Sequence, residues 1–148
     1  MPAPMTRAEC QEFLAGPHVG IVSVNQPGRG PMSVPIWYLY EPGGEVVLIT
    51  PPDSRKGKLI EVGTRIGFCA QTEDLPPKYV SVEGPVVSIE PADVERHVRP
   101  LCRRYLGQEI GDGYVDATRP DGTTKEVVIR MRPDRWFSRD FAKQADAS

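Results

Sequence analysis

The sequence lacks the features that would place it in a membrane, a secretory route or a disulfide-stabilised fold. It has no run of about 18 apolar residues, so we expect no membrane span. The N-terminus, MPAPMTRAEC, has no apolar signal-peptide core, which favours the cytoplasm as the location. The three cysteines, Cys10, Cys69 and Cys102, are odd in number and lack CxxC spacing, which predicts neither a disulfide framework nor a zinc site.

The common catalytic motifs are also missing. There is no GxxxxGK phosphate loop, no GxGxxG dinucleotide turn and no GxSxG nucleophile elbow. The two histidines, His18 and His97, stand in unrelated contexts, so we interpret them as exposed or hydrogen-bonded side chains and predict no metal site. The net charge of −2 argues against a general nucleic-acid binder.

The composition is that of one globular domain rich in strands. The 148 residues suffice for a single core, and 39% are hydrophobic and 26% charged. The 16 prolines and 14 glycines are expected where many strands are joined by turns. We therefore predict one domain over residues 1–148, with a disordered tail from about residue 142.

Local patterns predict about six or seven strands and three helices. The helices are expected from the Thr6 capping box to about Ala15, over 53–62, and over 92–106 with a kink at Pro100. The 107–120 segment is expected to be a loop. Strands are predicted over 18–25, 31–41, 45–50, 65–72, 79–90, 126–131 and 135–141. A mainly β chain with few helices favours a closed or nearly closed barrel, because closure removes exposed strand edges.

The stretch EVVLITPPDSRKGKL, residues 45–59, carries the strongest local signal. Arg55, Lys56 and Lys58 fall at a predicted helix start, where the helix dipole disfavours cations by a few tenths of a kcal/mol each. One interpretation is a solvated helix start with Ser54 as the N-cap. The other is an anion site, in which amide groups and cations hold a phosphate.

Two motifs give the chain a family resemblance. Thr50 ends a strand, Ser54-Arg55-Lys56 begins a helix four residues later, and VSVEGPV follows at 80–86. This spacing resembles the pyridoxamine 5'-phosphate oxidase superfamily over about residues 20–136. The resemblance implies an FMN-binding split β-barrel that forms a homodimer with the cofactor at the interface.

The resemblance also implies a set of cofactor-binding residues. Arg55 and Lys56 would hold the cofactor phosphate, with hydrogen bonds from Thr50 and Ser54. Ile49 belongs to the same strand end, and the 33–35 segment (Ser33, Val34 and Pro35) would run along the flavin or deazaflavin ring. Tyr79 stands at a polar cofactor contact, or is simply an aromatic on a strand. Arg139 would reach the partner's cofactor, and Trp37 and Tyr38 would form a substrate wall or pack the barrel.

Departures from the family pattern narrow the function. True pyridoxamine-phosphate oxidases carry an arginine near the position of Ser33, a lysine near Trp37-Tyr38 and a C-terminal Arg-Leu-His tract, all of which are missing here. The short chain, with its Pro-Ile-Trp-Tyr strand and Arg135-Trp136, is more similar to actinobacterial flavin/deazaflavin oxidoreductases. We therefore expect an oxidoreductase that uses coenzyme F-420, or alternatively FMN, on a small molecule. The other hypotheses are a non-catalytic cofactor-binding or storage protein and an unliganded structural barrel.

Overall fold

The computed structural model describes residues 2–143, which form eight strands and four helices. The strands are β1 Gly20–Val24, β2 Met32–Ile36, β3 Tyr38–Leu39, β4 Val46–Thr50, β5 Arg65–Gln71, β6 Lys78–Pro91, β7 Val127–Met131 and β8 Arg135–Asp140. The helices are α1 Arg7–Ala15, α2 Arg55–Leu59, α3 Arg99–Leu106 and α4 Gln108–Thr118, and a π-helical turn over Val94–Val98 leads into α3. The predicted tail lies outside the described residues from residue 144 on.

All strand pairs are antiparallel, in the order β2-β1-β5-β6-β7-β4-β3, and β8 pairs with β6. The 14-residue strand β6 serves both halves of the sheet. Its first part pairs with β5 and β8, and after a register shift between Val86 and Ser88 its second part pairs with β7. This bend curls the sheet on itself, because a bulge increases local twist. The predicted split barrel is confirmed.

Apolar side chains form two cores on the two sides of β4. The alternate residues Val46 and Leu48 lie in the barrel core, whereas Val47 and Ile49 pack under the α3–α4 layer. Every residue of β4 is buried, as expected for a strand covered on both faces. The last residues of β4 are thereby fixed in position.

The predicted helix over 92–106 is found, but it is divided. The π-helical turn leads directly into α3, and Pro100 lies in the first turn of α3, where proline is tolerated best. The first helix begins at the predicted capping box, since Thr6 and Glu9 exchange side-chain to backbone hydrogen bonds. The helix predicted over 53–62 is shorter, spanning only Arg55–Leu59.

The expected loop over 107–120 is wrong, because Gln108–Thr118 forms α4. Gly111 has no side chain to separate α4 from α3, and a Cβ there would lie 2.9 Å from the backbone nitrogen of Arg103. Arg99 and Arg103 of α3 then form ion pairs with Asp112 of α4. Tertiary contacts therefore stabilise a helix whose two glycines disfavour it locally.

Arg104 joins α3 to the end of α1. Its guanidinium donates to the carbonyl oxygens of Leu14, Ala15 and Gly16 and lies 5.0 Å from the Tyr38 ring centroid. Cations at a helix C-terminus satisfy carbonyl groups that have no partner within the helix. Arg104 is therefore a structural residue. Over the described residues, each helix is too short or too polar to cross a bilayer.

Candidate functional site

The candidate site begins where β4 leaves the sheet. Strand β3 pairs with β4 only at Tyr38↔Leu48 and Leu39↔Val47, whereas β7 pairs with β4 through Thr50. Beyond Leu48, the edge of β4 opposite β7 therefore has no strand partner among the described residues, and we call the opening between this edge and β2, the strand at the far end of the order, the barrel split. Backbone groups of Ile49 and Thr50 border this gap.

A tight turn connects β4 to α2. The Ser54 hydroxyl donates to the Pro51 carbonyl at 2.7 Å and accepts from the Gly57 amide at 3.1 Å, so Ser54 is the N-cap of α2. A Cβ on Gly57 would lie 2.5 Å from the Pro51 carbonyl oxygen, so the turn closes this tightly only with glycine at 57. Ser54 and Gly57 therefore determine where the side chains of Arg55 and Lys56 project.

Thr50 supports this turn from below. Its side chain is 1% exposed, and its Oγ1 lies 3.1 Å from the Ser54 Oγ. The Thr50 hydroxyl is thus committed to Ser54, and its contribution to a ligand site in this chain is indirect. Sequence spacing predicted both residues in one site, and the structure places them in contact.

Arg55 and Lys56 are cations without an anionic partner. Among residues 2–143, neither has a carboxylate within 4.0 Å. The Arg55 guanidinium instead donates to the neutral Gln26 side chain at 2.7 Å, and Gln26 donates to the Gly30 carbonyl at 2.9 Å. The turn between β1 and β2 therefore orients Arg55 without neutralising it. No sequence signal marked Gln26, which reads as an ordinary turn residue.

The 33–35 segment lies on β2, at one end of the sheet. Ser33 and Pro35 are exposed and Val34 packs against the barrel core. The Ser33 hydroxyl lies 3.1 Å from that of Ser23 on β1. Within residues 2–143, strand β2 pairs only with β1, so its other edge is open to the barrel split. Its exposed backbone groups are available to the polar edge of a ligand.

Tyr79 and Arg139 face each other across the other end of the sheet. They are register partners on β6 and β8, and the Arg139 guanidinium lies 4.5 Å from the Phe137 ring centroid. From β2 to β8 there are four strand steps, about 19 Å at ~4.8 Å each. Within a single chain, these two residues are therefore far from the 33–35 segment along the sheet.

The two residues predicted to form a substrate wall, Trp37 and Tyr38, have different surroundings. Tyr38 is fully buried, its hydroxyl donates to the Leu14 carbonyl at 2.7 Å, and it packs the barrel, so it is not available as a wall. Trp37 is half-buried and stacks on Tyr105 with a centroid distance of 4.7 Å. Ile49 is 8% exposed with its side chain under the α3–α4 layer, so only its backbone faces the split.

The outward face of the five strands β2-β1-β5-β6-β8 carries an apolar row that sequence reasoning did not identify. We call it the outer sheet face, and its register row is Pro35, Ile21, Cys69, Ser81 and Phe137. Phe137 is 53% exposed and Ile21 37%, and Val19 beside them is 50% exposed. The alternation of inner and outer residues along β1 and over residues 135–138 of β8 was the available signal.

Solved structures share this fold. A conserved hypothetical protein from Mycobacterium tuberculosis aligns with a TM-score of 0.73 and 22% identity, over 97% of this chain and 92% of that one. A protein described as an F420 reductase aligns with a TM-score of 0.59 and 18% identity, over 86% and 94% of the chains. An FAD-binding protein from Mesorhizobium loti has a TM-score of 0.66 and 16% identity, over 95% and 98%.

The sequence itself identifies the family. No protein of curated function matches the chain. The family model described as pyridoxamine 5'-phosphate oxidase matches residues 6–140, which include every strand and the turn that carries Ser54, Arg55 and Lys56. With the split barrel and this turn in place, the chain belongs to the pyridoxamine 5'-phosphate oxidase family.

Proposed function

We propose that this protein is a homodimeric oxidoreductase that binds coenzyme F-420, or alternatively FMN, and reduces a small organic acceptor. The observation that carries this proposal is the pair Arg55 and Lys56, which have no carboxylate partner among the described residues and stand beside the open barrel split. We do not propose oxidation of pyridoxamine phosphate, because the family residues that would grip that substrate are missing from the sequence.

The residues present fit a phosphate. Arg55 offers a planar fork of donors and Lys56 a compact ammonium, and both suit phosphate oxygens. Each charge-assisted hydrogen bond contributes about 1.5–3 kcal/mol. Two of them supply a sizeable part of the roughly −8 kcal/mol of a micromolar complex. Because α2 has only five residues, these cations rather than a helix dipole account for the attraction.

The ring of the cofactor is expected along the 33–35 segment. The open edge of β2 and the backbone of Ile49 and Thr50 border the same gap, and supply amide and carbonyl partners for a polar ring edge. A bound flavin or deazaflavin would supply the hydride chemistry, and the protein would supply binding and orientation. The fold of an F420 reductase supports the deazaflavin, and that of an FAD-binding protein supports a flavin.

A homodimer would complete the site. Counted along the sheet of one chain, Tyr79 on β6 lies three strand steps from β2 and Arg139 on β8 lies four, about 14 and 19 Å, so we expect one chain not to bring both onto the same ring. A second copy packed on the outer sheet face would cover the exposed Phe137 and Ile21 and bring Arg139 towards the partner's cofactor. Size-exclusion chromatography with light scattering should find a dimer, and Phe137→Asp should convert it to a monomer. A wild-type monomer would contradict this part of the proposal.

The cofactor assignment is tested by fluorescence titration with F-420 and with FMN. We expect saturable F-420 binding that Lys56→Ala weakens at least tenfold. Lys58→Ala is the matched control, since Lys58 is an exposed lysine on the same helix and only Arg55 and Lys56 are proposed to contact the phosphate. Binding of FMN alone would overturn F-420 as the cofactor, and binding of neither would overturn the function. Equal losses in the two variants would contradict a specific phosphate contact.

The second candidate function is cofactor binding or storage without turnover. The same phosphate-binding residues, Arg55 and Lys56, would serve a protein that only holds the cofactor. The two functions differ in whether the bound, reduced cofactor is reoxidised by added acceptors. Multiple-turnover reoxidation by electron-poor alkenes or imines would support the enzyme, and stable reduced cofactor under all of them would support storage.

A further inference from the structure

A second concave site lies at the opposite end of the barrel from α2. The start of α1, the turn between β3 and β4 and the turn between β7 and β8 enclose a cavity of about 280 Å³, which we call the Tyr40 cavity. Strand β4 begins at this end with Val46 and reaches the candidate cofactor turn with Thr50, about 13 Å along the strand. The Tyr40 cavity is thus separate from the site described above.

Tyr40 lines this cavity and carries a buried hydroxyl that has no partner in the described part of the chain. Tyr40 is 4% exposed, yet among the described residues its Oη has no hydrogen-bond partner. The Gly43 amide lies near the hydroxyl but outside hydrogen-bond geometry. Burial raises the pKa of Tyr40, while the Gly43 amide and the nearby Arg7 oppose that rise. Since Arg7 lines the Tyr40 cavity, the hydroxyl end of the ring is on this side of the β3–β4 turn.

Positive charge surrounds the hydroxyl. Arg7 and Arg132 line the cavity, and among residues 2–143 neither has a carboxylate within 4.0 Å. The Arg7 guanidinium lies 4.6 Å from the ring centroid of Trp136, which holds it over the cavity wall. Glu45 is the acidic lining residue, and two arginines leave a net positive lining. Gln11 adds an amide.

We propose that the Tyr40 cavity binds a small oxyanion, the carboxylate or phosphate group of a small molecule, through Arg7, Arg132 and the Tyr40 hydroxyl. Guanidinium groups match the geometry of both anions, and a phenol supplies one further donor. The hydroxyl oxygen is itself buried, so it gains this partner only when the cavity lining moves aside for the anion. Buried polar groups in native proteins are nearly always hydrogen-bonded, so its isolation indicates a missing ligand group.

The probes for this site are inorganic phosphate and acetate, with sodium chloride at matched ionic strength as the reference. Trp136 reports binding in a Trp37→Phe background, because the chain has only two tryptophans. We expect saturable fluorescence change with at least one probe, and the preferred probe identifies phosphate or carboxylate. A response to neither, as expected if only water fills the cavity, would overturn the proposal.

Two variants separate this site from its surroundings. Arg132→Ala should weaken binding at least fivefold, whereas Arg96→Ala should leave it within twofold. Arg96 is a matched control because it is an exposed arginine that lines the neighbouring cavity across the β3–β4 turn. Equal losses in both variants would show non-specific attraction and overturn the proposal.

Tyr40→Phe tests the hydroxyl alone. Without probe, its Tm should equal or exceed that of wild type, because an unpaired buried hydroxyl is replaced by hydrogen. With probe, its affinity should fall at least threefold. Unchanged affinity would remove Tyr40 from the site, and a lower Tm in the absence of probe would show that the hydroxyl already has a partner.

Discussion

Two groups of cations stand near helix ends in this protein, and their surroundings differ. On α3, Arg99 contacts the carboxylates of Glu95, Asp112 and Asp116 at 2.7–3.1 Å, and Arg103 shares Asp112. On α2, Arg55 has a neutral amide partner. The arginines of α3 join two helices through ion pairs. The cations of α2 have no carboxylate partner among the described residues and lie beside solvent and the barrel split.

This difference separates structural cations from binding cations. A guanidinium surrounded by carboxylates has little remaining attraction for another anion, because its donors and charge are already satisfied. A guanidinium held in place by a neutral group keeps its charge and loses mobility, which favours binding of a ligand anion. The comparison makes opposite predictions for variants on the two helices.

The largest expected effect is on cofactor affinity. The double variant Arg55→Ala/Lys56→Ala removes two charge-assisted contacts of about 1.5–3 kcal/mol each, so F-420 or FMN should bind at least about a hundredfold more weakly. The Tm of the free protein should change little, since neither residue has an ion pair in the described part of the chain. Fluorescence titration and thermal melting measure the two quantities. A large fall in Tm would show that Arg55 and Lys56 stabilise the fold, as the arginines of α3 do.

The converse change on α3 should alter stability and spare binding. Arg99→Ala/Arg103→Ala leaves Asp112 and Asp116 without their cations and loosens the α3–α4 contact, so Tm should fall. Cofactor affinity should remain within about twofold of wild type. The control is Arg135→Ala, since the Arg135 side chain is 77% exposed. A loss of affinity as large as that of the α2 variant would show that the α3 arginines also contribute to cofactor binding.

Acid should weaken the α3–α4 contact through Asp112. The Arg103 guanidinium, and then that of Arg99, hold the pKa of Asp112 below its ordinary value of 3.8. A lowered folded-state pKa contributes stability that is present above the unfolded pKa and is lost as pH falls through the folded one. Asp112→Asn should therefore reduce stability at pH 7 but flatten its decline below about pH 4.

Urea unfolding between pH 2.5 and 7 measures this effect. Glu109→Gln is the control, because Glu109 lies on the same helix and has no cation within 4.0 Å among the described residues. The control should keep the wild-type slope. Identical slopes for Asp112→Asn and wild type would show that the ion pairs contribute nothing to stability.

The smallest effect is expected from the neutral support of Arg55. Gln26→Ala removes one hydrogen bond of 2.7 Å, worth about 0.5–1.5 kcal/mol net, so cofactor affinity should fall by about twofold to at most about tenfold. The reason is lost positioning and not lost charge, so the salt dependence of binding should keep its wild-type slope. A changed slope would show that Gln26 acts on the charge of the site and not on the position of Arg55.

Sequence reasoning predicted the elements whose signals are local. The Thr6 capping box, the alternation along β6 and the four-residue interval from Thr50 to Ser54 each depend on neighbours in the chain. Those patterns give the barrel and its turn. The spacing also identified Arg55 and Lys56, whose isolation from carboxylates only the structure shows.

The features that sequence reasoning missed depend on distant partners. Helix α4 contains Gly111 and Gly113, which predict a loop, but Gly111 is required for close approach to α3. Tyr38 reads as a wall residue until its hydroxyl is seen to bind Leu14, 24 positions away. The predicted role of Arg139 depends on a second copy, and the roles of Arg139, Tyr79 and the 33–35 segment remain predictions.

The contact of Arg104 with the end of α1 has a consequence for the order of folding. The carbonyls of Leu14, Ala15 and Gly16 bind a guanidinium almost 90 positions later in the chain. A chain that emerges N-terminus first from the ribosome leaves these groups to water until residue 104 is synthesised. Arg104 therefore does not stabilise α1 early in synthesis. Native contacts of long sequence separation, which slow folding, connect the first helix to the last third of the protein.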